Sequence, residues 1–416
     1  MPRLAIRAAA SMAFVASGFV GGAPAWGAQP TVPPPTPVPP AGSPSPFPTE
    51  LDTPDPSTEA PELTAASATL VDLDSGQLLY EQNARERRPI ASVTKVMTAL
   101  LVLEAVPPEE VVTVSPSAAS QSGAVLGLEA GEEIPVRELL YALMLQSAND
   151  AAVALAEHVG GTVKGFVDRM NQRARQLRLR DTRFASSNGL DDTGYSSARD
   201  LAVITAEAYR NPTFGRVVRT KFHEIPAPKG PPRSIQSRNA LLWLYPDAIG
   251  VKTGYTFASG FCLVAAAARD ELRLGAVILG APRDAFSDAG ALLNHGFAAY
   301  ERRVVVEEGQ SFDPLRVEGR DVPVAADVSL TLLLRRGRDV DLTVEPEAGL
   351  TLPVAAGERV GTVVAAAGDR TLGEVPLVAQ SAARAPEEGI EDDPWWERAW
   401  DAVTDFFRRM FRAIFG

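Results

Sequence analysis

Residues 88–105 read RPIASVTKVMTALLVLEA, and a buried helix that begins in this stretch decides the fold. Apolar residues recur at three- and four-residue steps after Ser92, which predicts a helix that starts at that serine. Lys95 lies three residues further on, so both side chains fall on one face of the first turn. The 40 basic residues of the chain comprise 35 arginines and only five lysines. A partly buried lysine can lose its proton and an arginine cannot, so the stretch predicts an amine that acts as a base.

The chemistry of this pair is that of an activated nucleophile. A serine hydroxyl is a weak nucleophile and needs a base within hydrogen-bond reach. Apolar surroundings would lower the pKa of Lys95, and free N–H groups at the helix N-terminus would suit an oxyanion beside Ser92. Ser-x-x-Lys alone is a weak signal, because the pattern also arises by chance in a chain of this length.

A second candidate is the stretch QSAND, which interrupts two predicted helices, VRELLYALMLQ and DAAVALAEHV. Ser147 and Asn149 are two residues apart in this break, so a loop could aim both side chains at one cleft. Serine can relay a proton and asparagine can hold an amide. Helix capping is the alternative, with Asp150 as the expected cap, and taken alone this stretch favours capping.

A third candidate is GVKTGYT in a predicted strand. Lys252 and Thr253 offer a cation and a hydroxyl to a carboxylate, and Gly254 lets a substrate backbone approach the strand. The alternative is a solvated charge on an edge strand.

The pattern of segments predicts two folded domains. Residues 63–301 contain two strands joined by DSG, four helices and a three-strand antiparallel meander, which indicates an α/β catalytic domain with an antiparallel sheet flanked by helices. Residues 302–380 contain six short β-type segments separated by turn residues, among them GLTLPVAAGE, and predict a small all-β sandwich domain.

The two ends of the chain indicate export and contact with a membrane. Residues 1–28 have the pattern of a signal peptide with cleavage after Ala25 or Ala28, and residues 29–62 form a proline-rich linker. Residues 381–416 contain a linker and an amphipathic helix with an apolar face that includes Trp396, Trp400 and Phe407. Interfacial tryptophans and charges every few residues favour a helix lying on a membrane surface. Docking on its own domain or on a second subunit stays an alternative.

Composition excludes several classes of function. The net charge is −12, and no basic cluster with interleaved aromatics appears in the middle of the chain, so we expect no nucleic-acid partner. Cys262 is the only cysteine, which excludes an intrachain disulfide. Three scattered histidines, His158, His223 and His295, form neither a metal motif nor a Ser-His-Asp triad. We therefore expect no metal and no cofactor.

Ser-x-x-Lys, Ser-x-Asn and Lys-Thr-Gly, in this order, are the signature of penicillin-recognising serine enzymes. The flanking stretches, including MLQSANDAAVALAEHV and FASSNGLDDTGYSSARDLAVI, resemble the D-alanyl-D-alanine carboxypeptidases, which are low-molecular-mass penicillin-binding proteins. The resemblance implies a β-lactamase/DD-peptidase-like fold and removal of the terminal D-alanine from peptidoglycan stem pentapeptides, with β-lactams as inhibitors. It implies a location at the outer face of the cytoplasmic membrane, in the periplasm or in the cell wall.

The resemblance also implies roles for individual residues. Ser92 would be the acylated nucleophile and Lys95 its base, Ser147 would pass a proton to the leaving D-alanine, and Asn149 would bind the peptide carbonyl. The carboxylate would bind to Lys252 and Thr253, next to Gly254, and the N–H groups of Ser92 and Tyr255 would form the oxyanion hole. Ser-Ala-Asn replaces the Ser-Gly-Asn that many relatives have.

The resemblance also bears on two positions outside the three motifs, Ser187 and Arg283. Ser187 stands where a histidine is frequent in the family, so it receives no role. The resemblance also implies that Arg283 in GAPRDAF assists in binding the carboxylate.

Two other functions remain as alternatives. A serine β-lactamase shares the three motifs but needs a second base, and EAYRN (Glu207 to Asn211) has the required Glu/Asn spacing inside a helical run. A non-catalytic cell-wall-binding protein is the other alternative, although all three motifs are intact.

Overall fold

The structure is a computed structural model, and it describes residues 60–384 and 395–415. The predicted signal peptide and all of the proline-rich linker except its last three residues lie outside the described residues.

The described strands, in chain order, are β1 (Ser67–Asp72), β2 (Leu78–Gln82), β3 (Val111–Thr113), β4 (Glu133–Pro135), β5 (Phe222–Ile225), β6 (Arg233–Gln236), β7 (Ala248–Thr256), β8 (Gly260–Arg269), β9 (Leu272–Ala281), β10 (Tyr300–Val306), β11 (Ser311–Val317), β12 (Arg320–Ala326), β13 (Leu330–Arg335), β14 (Asp341–Pro346), β15 (Arg359–Ala367) and β16 (Arg370–Ala379). The α-helices are α1 (Lys95–Ala105), α2 (Pro116–Ala119), α3 (Val136–Tyr141), α4 (Asn149–Gly160), α5 (Val163–Gln176), α6 (Ala198–Tyr209), α7 (Pro212–Val218), α8 (Leu241–Leu244), α9 (Phe286–Ala299) and α10 (Trp395–Phe415).

A five-stranded antiparallel sheet of order β2-β1-β9-β8-β7 is the centre of the first domain. Both faces of the sheet are covered, because α6 packs on one face and α9 on the other. Neighbouring residues of β8 accordingly enter different cores: Val264 joins the core under α6 and Leu263 the core under α9. The predicted antiparallel sheet flanked by helices is confirmed. Strand β7 lies at the edge, so one side of it is open.

The periodicity predicted a helix that begins at Ser92, but α1 begins later. A 3₁₀ turn, Ala91–Thr94, comes first, and α1 starts at Lys95. Ala91 enters the turn with φ 46°, a left-handed conformation that is uncommon outside glycine. In a 3₁₀ turn the side chains at i and i+3 eclipse each other, so this turn aligns Ser92 with Lys95 more closely than an α-turn does.

Other helix boundaries also differ from the sequence prediction. Helix α3 gives way to a π-helical turn, Ala142–Gln146, and α4 starts at Asn149 after Ala148, so Asp150 is not the cap. Pro212 was predicted only to end α6, but it is also the first residue of α7. Asn211 caps α7, because its side-chain oxygen accepts from Thr213 N–H. The sequence analysis did not predict α5 or α9.

The second domain is all-β, as predicted. Its five-stranded sheet has the order β11-β12-β16-β15-β14, and β10 pairs with β13. Inward-facing valines and leucines such as Val322, Val324 and Leu377 form its core. Strands β11 and β12 were not predicted, since SFDPLRV contains a proline and two charges. The stretch GLTLPVAAGE forms no strand, and Val354 makes only an isolated bridge to Ala383.

An ion-pair cluster joins the second domain to the first. Arg302 on β10 lies 2.8 Å from both carboxylate oxygens of Asp72, at the end of β1, and 3.0 Å from Asp74. Asp72 is fully buried. A buried carboxylate without a cation would be costly, so Arg302 stabilises this junction.

Helix α10 confirms the predicted C-terminal helix. Large apolar side chains are exposed along it, namely Trp400, Val403, Phe406, Phe407, Met410 and Phe411. Within the described residues, no helix has both the length and the apolar character needed to span a bilayer.

Candidate active site

The 3₁₀ turn brings Ser92 and Lys95 together. Nζ of Lys95 lies 3.0 Å from Oγ of Ser92, which is half-buried. Two further groups surround the same nitrogen: the side-chain oxygen of Asn149 at 3.0 Å and the backbone carbonyl of Asn188 at 2.7 Å. Lys95 has no solvent-exposed surface.

These contacts determine how Lys95 can use its protons. The amide oxygen of Asn149 and the carbonyl of Asn188 are acceptors only, so each receives an N–H from Nζ. The third partner, the Ser92 hydroxyl, can donate. A neutral Lys95 therefore has a lone pair for the hydroxyl hydrogen of Ser92 after its two N–H groups are used.

The surroundings of Lys95 favour the neutral amine. Burial holds the pKa of Lys95 well below its usual value, and the nearby charges of Lys252 and Arg238 lower that pKa further. None of its three hydrogen-bonding partners is a carboxylate. This is the environment that a lysine needs to act as a base near neutral pH.

The Ser-Ala-Asn stretch forms a sharp turn between the π-helical turn and α4. Ser147 has φ 65°, a left-handed conformation that redirects the chain, and is largely buried. Asn149 donates its side-chain N–H to the carbonyl of Ser122 at 2.8 Å while its oxygen faces Lys95. Asn149 is therefore engaged with Lys95 and does not cap a helix.

A neighbouring loop, residues 121–128, holds this turn in place. The backbone N–H of Asn149 donates to Ala124 O at 2.7 Å. The buried carboxylate of Asp150 accepts four backbone N–H groups, those of Leu126, Gly127, Leu128 and Ala151. Asp150 thus orients the Ser147–Asn149 turn through the loop, a function that the sequence analysis did not assign to it.

The Lys-Thr-Gly stretch lies on the open edge of β7, next to the nucleophile. A Cβ on Gly254 would lie 3.1 Å from Ser92 N, tighter than most such contacts, so glycine permits this close approach. Lys252 is buried and donates to Thr253 O at 2.8 Å, and Thr253 is half-buried. Burial, with repulsion from Arg238, lowers the pKa of Lys252 to about 7.

Arg238 is a member of the site that the sequence analysis missed. Its charge acts on both Lys95 and Lys252, and its backbone N–H donates to Leu145 O, just before the Ser147 turn. No motif spacing relates Arg238 to the three signatures, and it precedes α8 in an exposed position. Only the folded chain brings this cation close to the two lysines.

Asn188 and Gly189 are a second addition. Asn188 contributes its carbonyl to Lys95, and the segment lies tightly against the nucleophile turn. A Cβ on Gly189, whose φ is +82°, would lie 1.9 Å from the carbonyl oxygen of Ala91. Gly189 therefore permits close packing against the Ala91 carbonyl, next to Ser92.

Other residues that the sequence singled out lie elsewhere. The Glu207 carboxylate is 2.7 Å from Arg173, in a cluster with Glu104, whereas Lys95 contacts Ser92, Asn149 and Asn188. This placement gives no support to a deacylating base of the β-lactamase type. Arg283 is exposed after β9, and within the described residues its side chain has no hydrogen bond or ion pair.

The arrangement defines a class of enzyme. A serine with a desolvated lysine as its base, beside a cationic strand edge, is suited to acyl transfer from substrates that carry a carboxylate. This is the class of penicillin-recognising serine hydrolases.

Comparisons with known proteins agree with this class and narrow it. The model of the D-alanyl-D-alanine carboxypeptidase family matches residues 55–283, and the model of the C-terminal domain of penicillin-binding protein 5 matches residues 300–384. The chain belongs to the D-alanyl-D-alanine carboxypeptidase family.

Individual relatives cover most of the chain. It is 32% identical over 330 residues to D-alanyl-D-alanine carboxypeptidase DacF of Bacillus subtilis, covering 76% of this chain and 85% of the relative. It is 31% identical over 382 residues to DacC of Escherichia coli, covering 86% and 92%. The crystal structure of penicillin-binding protein 5 from Haemophilus influenzae superposes with a TM-score of 0.63 at 30% identity, covering 79% of this chain and all of that one.

Proposed function

We propose that this protein is a serine-type D-Ala-D-Ala carboxypeptidase that removes the terminal D-alanine from peptidoglycan stem pentapeptides and is inhibited by penicillin. The observation that carries the proposal is the 3.0 Å contact between the buried amine of Lys95 and the hydroxyl of Ser92. Family membership supplies the substrate class.

Acylation begins when Ser92 Oγ attacks the carbonyl carbon of the penultimate D-alanine. The hydroxyl proton passes to Lys95 Nζ, and the oxyanion of the tetrahedral intermediate accepts hydrogen bonds from the N–H groups of Ser92 and Tyr255. Asn149 holds the substrate amide. The C–N bond then breaks, and the leaving amine takes a proton that Ser147 delivers from Lys95.

The carboxylate of the terminal D-alanine is the feature that Lys252 and Thr253 select. Free Lys252 has a pKa near 7, and an incoming carboxylate stabilises its charged form. Arg238 adds a permanent positive charge to the same region. Charged Lys252 and Arg238 together favour a substrate that ends in a free carboxylate.

Deacylation uses the same base. Once D-alanine has left, water occupies its place, Lys95 accepts a proton from it, and the hydroxide attacks the ester carbonyl of Ser92. The tetrapeptide is released, and the Ser92 hydroxyl regains its proton from Lys95. A β-lactamase uses a second base, a carboxylate, to release the ester. Among the described residues no carboxylate contacts the Lys95 amine, which supports slow release of a penicilloyl ester.

The test is release of free D-alanine from a short peptide ending in D-Ala-D-Ala. We expect release by the purified protein, none by Ser92→Ala, and a strong reduction when the terminal carboxylate is an amide. Rapid multiple turnover of penicillin without D-alanine release would overturn the proposal in favour of a β-lactamase.

We also propose that the protein is exported and that α10 lies on the outer surface of the cytoplasmic membrane. The exposed apolar side chains of this helix support the assignment, and so do arginines in its second half, which suit anionic lipids. Deleting residues 395–416 should abolish binding to anionic vesicles. Phe407→Asp should weaken binding, whereas Phe257→Asp, at a fully exposed turn of the first domain, should not.

A further inference from the structure

A hairpin of two short strands, β5 and β6, leads directly into Arg238. Strand β6 ends at Gln236, and two residues later the backbone N–H of Arg238 donates to Leu145 O at 3.0 Å. Leu145 belongs to the π-helical turn that precedes Ser147. The position of the hairpin therefore sets the position of Arg238 relative to the Ser-Ala-Asn turn.

The β5–β6 hairpin buries little apolar surface of its own. Among the strand residues of β5 and β6, all of which the structure describes, only Ile225 and Ile235 are buried. An isolated two-stranded hairpin is at best marginally stable in water. Contacts with the rest of the domain must therefore hold this hairpin in place, and two polar contacts reach it from different elements.

The first contact is made by His223 on β5. Its Nε2 lies 2.7 Å from Glu138 Oε2, and its ring stacks on Tyr141 with 3.7 Å between the ring centroids. A carboxylate accepts hydrogen bonds, so the imidazole is the donor here. Glu138 and Tyr141 lie on α3, which continues into the π-helical turn before Ser147. This contact therefore attaches the hairpin to the helix that leads into the Ser-Ala-Asn turn.

The second contact is made by Arg233, the first residue of β6. Its guanidinium donates twice to the buried carboxylate of Glu132, at 2.7 and 2.9 Å, and once to Gly127 O at 3.1 Å. A two-bond ion pair of this kind fixes geometry as well as adding energy. Gly127 belongs to the loop that Asp150 orients, next to Asn149. This contact therefore attaches the hairpin to the loop that supports the Ser-Ala-Asn turn.

We propose that His223 and Arg233 are positioning residues, which hold the β5–β6 hairpin so that the Arg238 guanidinium faces the substrate carboxylate. Neither side chain touches the substrate, since each acts through Arg238. The charge of Arg238 lowers the pKa of both Lys95 and Lys252, so its guanidinium lies near the place where Lys252 would hold the carboxylate. This inference rests on the proposed carboxypeptidase function and adds two residues to the binding of its substrate.

Small movements of the hairpin are enough to matter. A charge-assisted hydrogen bond needs a short distance and good alignment, so a displacement of about 1 Å at Arg238 weakens it steeply. The carboxylate is bound in the ground state and in the transition state alike. Loss of either contact should therefore raise KM for a peptide with a free carboxylate and leave kcat nearly unchanged.

The experiment uses the purified full-length protein and two peptides ending in D-Ala-D-Ala, one with a free terminal carboxylate and one with a terminal amide. The ratio of their kcat/KM values reports the carboxylate contact and cancels any change in the folded fraction. We expect Arg238→Gln to lower this ratio by about tenfold, as one charge-assisted hydrogen bond is lost. His223→Ala and Arg233→Lys should each lower it by about threefold. Glu224→Gln, at an exposed position on β5, is the matched control and should leave the ratio unchanged.

A double-mutant cycle separates positioning from a purely structural role. If His223 acts through Arg238, His223→Ala should have no further effect on the ratio when it is added to Arg238→Gln. His223→Gln can still donate to Glu138, so it should recover most of the ratio that His223→Ala loses.

The outcomes separate this inference from the proposed function. An unchanged ratio in both His223→Ala and Arg233→Lys would overturn the inference and leave the carboxypeptidase in place. The same follows if His223→Ala lowers the ratio equally with and without Arg238, because the hairpin would then act by another route. If the wild-type protein hydrolyses neither peptide, the inference and the proposed function both fail.

Discussion

Replacing Lys95 by arginine keeps a positive charge but removes the base. The two acceptors around Nζ, Asn149 Oδ1 and Asn188 O, can both be satisfied by guanidinium N–H groups, yet no lone pair remains for the Ser92 hydroxyl. General-base catalysis contributes roughly 10²–10⁴-fold. We therefore expect acylation by a fluorescent penicillin to slow by about 1,000-fold, which corresponds to about 4 kcal/mol of transition-state stabilisation.

Folding must be separated from chemistry in this test. A permanent charge at a fully buried position near Lys252 and Arg238 should also lower the free energy of unfolding, by about 2–3 kcal/mol. Lys95→Met removes the base without adding a charge, so it should be as inactive as Lys95→Arg and at least as stable as it. Lys229→Arg makes the same exchange in an exposed loop and should behave as the wild type.

The rate constant of acylation decides the question. Acylation of Lys95→Arg within tenfold of the wild-type rate would refute the assignment of Lys95 as the base, because an arginine cannot accept the proton.

Three further predictions concern the electrostatics and packing around the site. The pKa of Lys252 is lowered to about 7, so this lysine loses its charge as the pH rises through 7. The affinity for a carboxylate inhibitor should therefore fall above pH 7, and calorimetry in two buffers should show that binding at pH 8 takes up a proton. An affinity independent of pH from 6 to 9 would contradict this. Gly189→Ala should lower the free energy of unfolding in urea by about 3 kcal/mol and slow acylation, because its Cβ would meet Ala91 O. The control Gly230→Ala has the same φ of +82° but no neighbour within 4 Å, so it should lower the free energy of unfolding by about 1 kcal/mol. Equal losses would argue against the contact. Arg302→Leu leaves the buried carboxylate of Asp72 without its cation and should lower the free energy of unfolding by about 3 kcal/mol. The control is Arg303→Leu, whose arginine forms a hydrogen bond only with the Arg338 carbonyl among the described residues. An unchanged unfolding midpoint of Arg302→Leu would show that this ion pair contributes nothing to stability.

The sequence predicted those parts of the site that lie in short motifs. Ser92 and Lys95 are three residues apart, so any helical turn brings them together, whether α or 3₁₀. The three strand-like runs of β7 to β9 and the short connections between them predicted the antiparallel meander, because both signals are local in the sequence. The turn type at Ser92 was not predictable, because the spacing of Ser92 and Lys95 fits both kinds of turn and Gly189, which packs against Ala91, is distant in the sequence.

Residues that act through tertiary contacts were not predictable. Arg238 affects both lysines from a segment without a motif, and the carbonyl of Asn188 carries no side-chain signal at all. Asp150 looked like a helix cap, because its role depends on the N–H groups of the loop 121–128. The structure brings the three motifs together, and the roles assigned to their residues stay predictions, namely those of Ser92, Lys95, Ser147, Asn149, Lys252, Thr253, Gly254 and Tyr255.

The most direct test is to map the covalent adduct that penicillin forms with this protein. Mass spectrometry of the digested, penicillin-treated protein should place one penicilloyl group on the peptide that contains Ser92, and Ser92→Ala should carry none. A stable adduct on any other residue, or no adduct on a protein that still releases D-alanine, would contradict the account.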